Sequence, residues 1–152
     1  MNQSNREIVT TRLINAPRER VWKAFVDPEQ VVQWWGPNGF TTTTESMKVK
    51  AGGIWKYMMH GPDGRDYPNK IIYDEVVEPE KLVYHHSDDG ANIDVSFVST
   101  ITFEEQDGKT LITMRAVFKT AEELERIDKE YGARVGAQQT LGRLAEFVTM
   151  QS

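Results

Sequence analysis

Cysteine is absent from this chain, which excludes disulfide staples and thiolate chemistry and gives no sign of an oxidising compartment. Basic clusters are missing too: no Lys/Arg run interrupts a formal net charge of −5 and a pI near 5.2. Nucleic acid and anionic membranes both demand such a patch, so neither is expected as a partner. No segment approaches the ~20 apolar residues of a membrane span. Met1 to Asn15 holds no apolar run of signal-peptide length, so the expected location is cytoplasmic. The chemical motifs are equally sparse. There is no glycine-rich phosphate loop, no HExxH and no calcium loop, hence no expected cofactor or metal. Ser99 sits in Phe97-Val98-Ser99-Thr100-Ile101, a plain strand pattern without a Gly-x-Ser-x-Gly elbow. No internal repeat, linker or low-complexity segment divides the chain.

What is present is core material. A chain of 152 residues reads as one domain, 1–152 with a core of about 8–149, and buries roughly 70% of its unfolded surface. Hydrophobic residues make up 39%, with four tryptophans, five tyrosines and six phenylalanines to fill the interior. The organising stretch is Ala16 to Pro37. Pro17 suits a first helical turn, and Val21, Trp22, Phe25 and Val26 make one apolar stripe. Asp27-Pro28 repeats the start signal, as N-cap and first helical residue. Val31, Val32 and Trp35 carry a second stripe until Gly36-Pro37 stops it. The prediction is two short helices with a hard joint.

Around this elbow the pattern is that of strands. Glu7 to Ile14 is a β-branched run, and Phe40 to Val49 contains four consecutive threonines. Ala51-Gly52-Gly53 turns into Ile54 to His60, where Trp55, Tyr57 and Met59 take one face. Gly61-Pro62-Asp63-Gly64 is a strong hairpin signal and leads into Tyr67 to Val77. Glu78 to Lys81 turns that strand into Leu82 to His86, and Ser87 to Asn92 is a polar loop. Val95, Phe97, Ser99, Ile101 and Phe103 then alternate cleanly. Asp107-Gly108 closes a hairpin onto Thr110 to Phe118, where Ile112, Met114, Ala116 and Phe118 share a face. Such short connections make an antiparallel meander.

The period then changes to helical. Ala121 to Tyr131 places Leu124, Ile127 and Tyr131 on one side, with Glu122–Arg126 and Glu125–Lys129 spaced as i, i+4 pairs. Gly132 breaks it. A last helix from about Ala133 to Thr149 carries Ala137, Leu141, Leu144, Ala145 and Val148 as a seam and spans roughly 25 Å. A meander with helices at its sequence ends is α+β, and the last helix is the element long enough to cover the sheet.

This order resembles the START/Bet v 1-like helix-grip fold of the SRPBCC superfamily, in which a curved antiparallel sheet, here of six to seven strands, wraps a long C-terminal helix. Within it the chain is similar to homologues of the heat-shock-protein-90 ATPase activator. The likeness is carried by Ala16-Pro17 with Val21-Trp22 and Phe25, Trp34-Trp35-Gly36-Pro37, Gly52-Gly53-Ile54-Trp55 and Gly61-Pro62-Asp63-Gly64. It continues through Pro79-Glu80-Lys81-Leu82-Val83 and Leu141-Gly142-Arg143-Leu144-Ala145, from about Ile8 to Val148. Two departures matter. Such domains often carry Gly-Trp where this chain has Gly136-Ala137, and the separate chaperone-binding domain of the eukaryotic co-chaperone has no room here. The resemblance implies the fold, and more weakly a chaperone partner and a link to the stress response.

A gripped helix leaves a cavity wherever facing side chains do not meet. Trp55, Tyr57, Met59, Phe97, Ser99, Ile112 and Met114 are expected to face in. Aromatics and thioethers around Ser99, Ala116, Gly136 and Ala137 describe a malleable apolar pocket. Adjacent Trp34 and Trp35 cannot both point into one core, so one is core and the other lines the pocket mouth or the surface. His85 and His86 face opposite sides of a strand and cannot share a metal. His60 stands alone. An inward histidine would be placed to orient a polar group or act as acid or base. Asp74-Glu75 and Asp88-Asp89 are adjacent rather than same-face pairs.

The leading expectation is therefore a non-catalytic domain that binds an apolar or aromatic small molecule. Its candidate site is Trp34, Trp35, Trp55, Tyr57, Met59, Asn69, His86, Phe97, Ser99, Ile112, Met114, Ala137 and Leu141. The alternative is a protein-interaction module of the chaperone-activator type. The third is a cyclase- or aromatase-like enzyme relying on Tyr57, His86, Asn69 or Ser99, since no residue is marked as catalytic.

Overall fold

β-Branched and aromatic residues alternating between Gly- and Pro-bearing turns build the sheet that organises this protein. The computed structural model describes residues 6–86 and 97–150, with the side chains of Phe97, Glu130, Tyr131, Ala133 and Met150 outside that description. Strand β1 (Glu7–Ile14) is followed by helices α1 (Arg18–Val26) and α2 (Pro28–Val31). Then come β2 (Thr41–Met47), β3 (Ile54–His60), β4 (Asp66–Val77), β5 (Lys81–His86), β6 (Phe97–Gln106) and β7 (Lys109–Phe118). Helices α3 (Ala121–Tyr131) and α4 (Ala133–Met150) complete the chain. The seven strands form one sheet in the order β1-β7-β6-β5-β4-β3-β2, antiparallel throughout. The α+β helix-grip arrangement implied by the resemblance is the one found. The loop Ser87–Asn92, with Asp88-Asp89, and Val95 lie outside the described residues.

Consecutive strands β2 to β7 pair in sequence as a meander, whereas β1 pairs with β7, so the elbow carries the chain from one edge of the sheet to the other. Two register shifts, between Thr44 and Ser46 and between Tyr73 and Glu75, insert an extra residue into β2 and β4. Such bulges bend a strand and increase its twist, which curves the sheet around α4.

The elbow follows its capping chemistry. Pro17 occupies the N-cap of α1, one position before the first helical turn expected of it. Asp27 caps α2 by accepting the Glu29 N–H at 2.9 Å, with Pro28 at the first position. The second helix is shorter than its stripe suggested: it ends at Val31, and Val32 to Trp34 continue as turn. The cause is packing, since Trp34 is drawn under α1, its Nε1 donating to the Ala24 carbonyl at 3.0 Å.

The main core joins the elbow (Val21, Trp22, Phe25, Val31, Trp34), the inward strand residues and the α4 seam Leu141, Leu144 and Val148. A second, smaller cluster joins Ile8 and Phe118 to Leu124 and Ile127 of α3. Helix α3 is bounded by Thr120, whose Oγ1 accepts from the Glu123 N–H at 3.0 Å, and by Gly132 in the left-handed region. Across that break Arg134 binds Asp128 at 2.5 Å and Glu125 at 3.2 Å. Glu125 thus pairs forward with Arg134, and Arg126 lies 4.0 Å from Glu123. No helix among the described residues is long and apolar enough to cross a membrane.

Candidate functional site

The two core clusters do not close on each other, and the gap between them is a cavity of about 250 Å3. Its floor draws on every strand except β2. Tyr57 and Met59 come from β3, Asn69 from β4, Tyr84 and His86 from β5, and Ser99 from β6. Met114, Ala116 and Phe118 come from β7, and Ile8 and Thr10 from β1. Ala137 and Thr140 of α4 form the roof, and Trp35, Gly36 and Pro37 the side wall. Strand alternation supplies the geometry: residues two apart share the concave face, so Tyr57 and Met59, or Tyr84 and His86, arrive together.

Of the expected site residues, Trp35, Tyr57, Met59, Asn69, His86, Ser99, Met114 and Ala137 line this cavity. Four others do not. Trp34 is fully buried beside Phe25, ring centroids 4.7 Å apart, and serves the core. Trp55 stacks on Tyr57 at 3.9 Å, and its Nε1 donates to Thr44 Oγ1 at 3.1 Å. With Trp35 edge-on at 5.0 Å, it is covered rather than exposed to the void. Ile112 and Leu141 are buried within the main core. The Phe97 side chain lies outside the described residues. The tryptophan pair thus divides as core and cavity wall, Trp34 taking the first role and Trp35 the second.

Ile8, Thr10, Gly36, Pro37, Tyr84, Phe118 and Thr140 also line the cavity and were not among the expected residues. Tyr84 carried a signal, being two residues before His86 on one strand. Thr140 did too, three residues after Ala137 on a helix.

The polar groups of the cavity are held neutral. Burial, with the neighbouring Tyr84 adding to it, drives the Tyr57 hydroxyl far above the ordinary tyrosine range, against a hydrogen bond from Trp35. Burial likewise raises Tyr84, opposed by its hydrogen bond with Ser99. His86 is pushed down to about 4 by burial and by the adjacent His85. The residue keeps some exposed area, but its Nδ1 is sealed from solvent, so the imidazole is uncharged at neutral pH. The other two histidines face outward: His85 Nδ1 binds Asp74 at 2.9 Å, and His60 bridges Asp66, at 2.8 Å, and Thr43. No group of three or more His, Asp or Glu among the described residues could hold a metal ion.

The side wall is fastened by Arg143. One of its terminal nitrogens, Nη1, lies within 3.1 Å of the carbonyls of Gly36, Pro37 and Phe40. Gly36 itself has φ 103°, and a Cβ there would sit 2.8 Å from the Met59 terminal methyl. The positive φ is what requires glycine here, since the Met59 methyl is the far end of a flexible side chain and can give way.

Among solved structures, a protein from Arthrobacter aurescens superposes with a TM-score of 0.89 at 22% identity, covering 99% of this chain and 90% of its own. Protein Ms6760 from Mycobacterium smegmatis gives 0.85 at 25% identity, covering 99% and 96%. DynU16, from the dynemicin biosynthetic locus, gives 0.67 at 18% identity, covering 97% of this chain and 48% of its own. No curated protein matches the chain. Residues 15–149 match the family model described as Activator of Hsp90 ATPase homolog 1-like protein, and to that family, with its START/Bet v 1-like fold, the chain belongs.

Proposed function

We propose that this chain is a cytoplasmic single-domain protein that binds a small apolar or aromatic molecule between the sheet and α4, without transforming it. The observation that carries this is the gap between the two core clusters, lined by aromatic, thioether and small residues. A dry apolar cavity of ~150 Å3 admits benzene, so about 250 Å3 suits two fused rings. Trp35, Tyr57, Met59, Asn69, His86, Ser99, Met114 and Ala137 are the proposed contacts. Native mass spectrometry of gently purified protein tests it: a retained small molecule, displaced by an added bicyclic aromatic, is expected. Failure of such compounds to bind, by that method or by calorimetry, would overturn it.

The family description favours a second reading, a protein-interaction module acting on a chaperone. Stimulation of a purified chaperone's ATPase, insensitive to blocking the cavity, would replace the first reading with the second. The neighbour from a biosynthetic locus favours a third, an enzyme using Tyr57, Asn69, His86 or Ser99 in the same cavity.

A further inference from the structure

A hydrogen-bond inventory of the cavity walls narrows the class of occupant, given the reading of the cavity as a binding site. The Tyr57 hydroxyl accepts the Trp35 indole N–H, and a phenol that accepts still has its own O–H to give. Tyr84 and Ser99 stand directly opposite each other on β5 and β6 and share one hydrogen bond. Two hydroxyls sharing one bond leave one O–H of the pair to give.

Of the other polar walls, which include Thr10 and the neutral His86, two turn a donor to the backbone. Thr140 Oγ1 donates to the Gly136 carbonyl at 2.8 Å, and Asn69 Nδ2 to the Tyr67 carbonyl at 2.9 Å. Among the described residues, no hydrogen bond runs from the Tyr57 O–H to a protein acceptor, and the Tyr84–Ser99 pair makes none beyond the one it shares. Both phenols are deeply buried, at 4% and 5% exposure, and both remain protonated donors for the reasons given above. No Asp, Glu, Lys or Arg lines the cavity among the described residues. The opposite end, toward β7 and β1, is mostly apolar, with Ile8, Met114, Ala116 and Phe118 beside the single hydroxyl of Thr10.

We infer that the occupant is an uncharged ring compound bearing a carbonyl-type oxygen. Its oxygen is seated toward the Tyr57 and Tyr84–Ser99 hydroxyls, and its ring toward Ile8, Met114 and Phe118. A hydrocarbon of the same shape leaves buried donors unmet, which costs more than a hydrogen bond gains. A carboxylate satisfies the donors but enters a desolvated site with no cation to balance it. Discrimination on both sides follows from one arrangement of walls.

The test is calorimetric titration of the full chain at neutral pH with 2-acetylnaphthalene, 2-isopropylnaphthalene and 2-naphthoate. Wild type is compared with Tyr57→Phe, Tyr84→Phe and, as a smaller change, Ser99→Ala, each checked for native near-UV circular dichroism. The ketone is expected to bind the wild type at least about tenfold more tightly than the naphthoate. Each Tyr→Phe variant is expected to lose about fivefold in ketone affinity, the worth of one hydrogen bond, and to keep its affinity for the hydrocarbon. A ketone-to-hydrocarbon ratio unchanged in every folded variant, or naphthoate binding as tight as the ketone, would overturn the inference and leave the binding cavity standing. Failure of both neutral probes to bind the wild type would instead overturn the cavity reading itself.

Discussion

Replacing Ala137 by Trp probes the cavity directly, because Ala137 is part of its roof and the change adds side chain without adding charge. The gain in volume is on the order of 100 Å3, more than neighbouring side chains absorb by relaxing. Subtracted from about 250 Å3, it leaves about 150 Å3, a space that admits one ring and not two. Filling apolar void is worth about 24 cal/mol per Å3, or about 2 kcal/mol if the indole fits without strain, and overpacking subtracts about 1–3 kcal/mol. The expected net effect runs from about 1 kcal/mol destabilising to about 2 kcal/mol stabilising, a shift in melting temperature of at most several degrees. Thermal unfolding gives the stability, and calorimetry with naphthalene-sized and benzene-sized probes gives the affinity. Bicyclic binding should fall at least about tenfold while monocyclic binding survives. Destabilisation of about 3 kcal/mol or more would show that the space beside Ala137 is already filled, and the argument from cavity volume would fail.

Three further outcomes are expected. Leu141, at 1% exposure in the α4 seam, should cost about 2–5 kcal/mol when changed to Ala; a loss below about 0.5 kcal/mol in denaturant unfolding would mean that the sheet does not grip α4. Hydrogen exchange should be faster from Leu124 to Lys129 than in the central strands β5 and β6, because α3 rests on a separate small cluster of four buried residues and such elements open first; equal protection would contradict that. His86 binds a proton less readily folded than unfolded, with a folded value of about 4 against an ordinary 6.5. The unfolded chain therefore binds the extra proton between those values, and stability falls as pH drops through that window, by at most about 1.4 kcal/mol per pH unit. His86→Gln should flatten this part of the acid limb, and an unchanged slope would mean that His86 is not desolvated.

Most of the elements were legible because their signals are local. Gly61-Pro62-Asp63-Gly64, Asp107-Gly108 and Gly132 each end an element where they stand, and Trp55, Tyr57 and Met59 alternate onto one face as period-two spacing requires. Alternation assigns a face, however, and not a depth. Trp55 and Tyr57 are equally inward in sequence, yet Trp35 and the Tyr57 ring cover the former while the latter reaches the void. Ile8 and Phe118 enter the site through the pairing of β1 with β7, which joins strands from opposite ends of the chain. Spacing within a segment carries no trace of that contact. The short α2 has the same origin: Val32 and Trp35 continue a helical stripe, and the helix stops because Trp34 must reach the Ala24 carbonyl.

The fastening of the side wall by Arg143 separates shape from sequence. A guanidinium that grips the carbonyls of Gly36, Pro37 and Phe40 reads the path of the loop and ignores most of its side chains. Exchanges at Asn38 or Phe40 that preserve the path therefore leave the anchor intact. Cavity-facing positions near the mouth, Trp35 among them, are correspondingly free to drift without unmooring the loop from α4. A lineage that keeps glycine at 36 and arginine at 143 holds one constant frame in which occupants of different size and outline can be tried, each by substitution rather than by rebuilding.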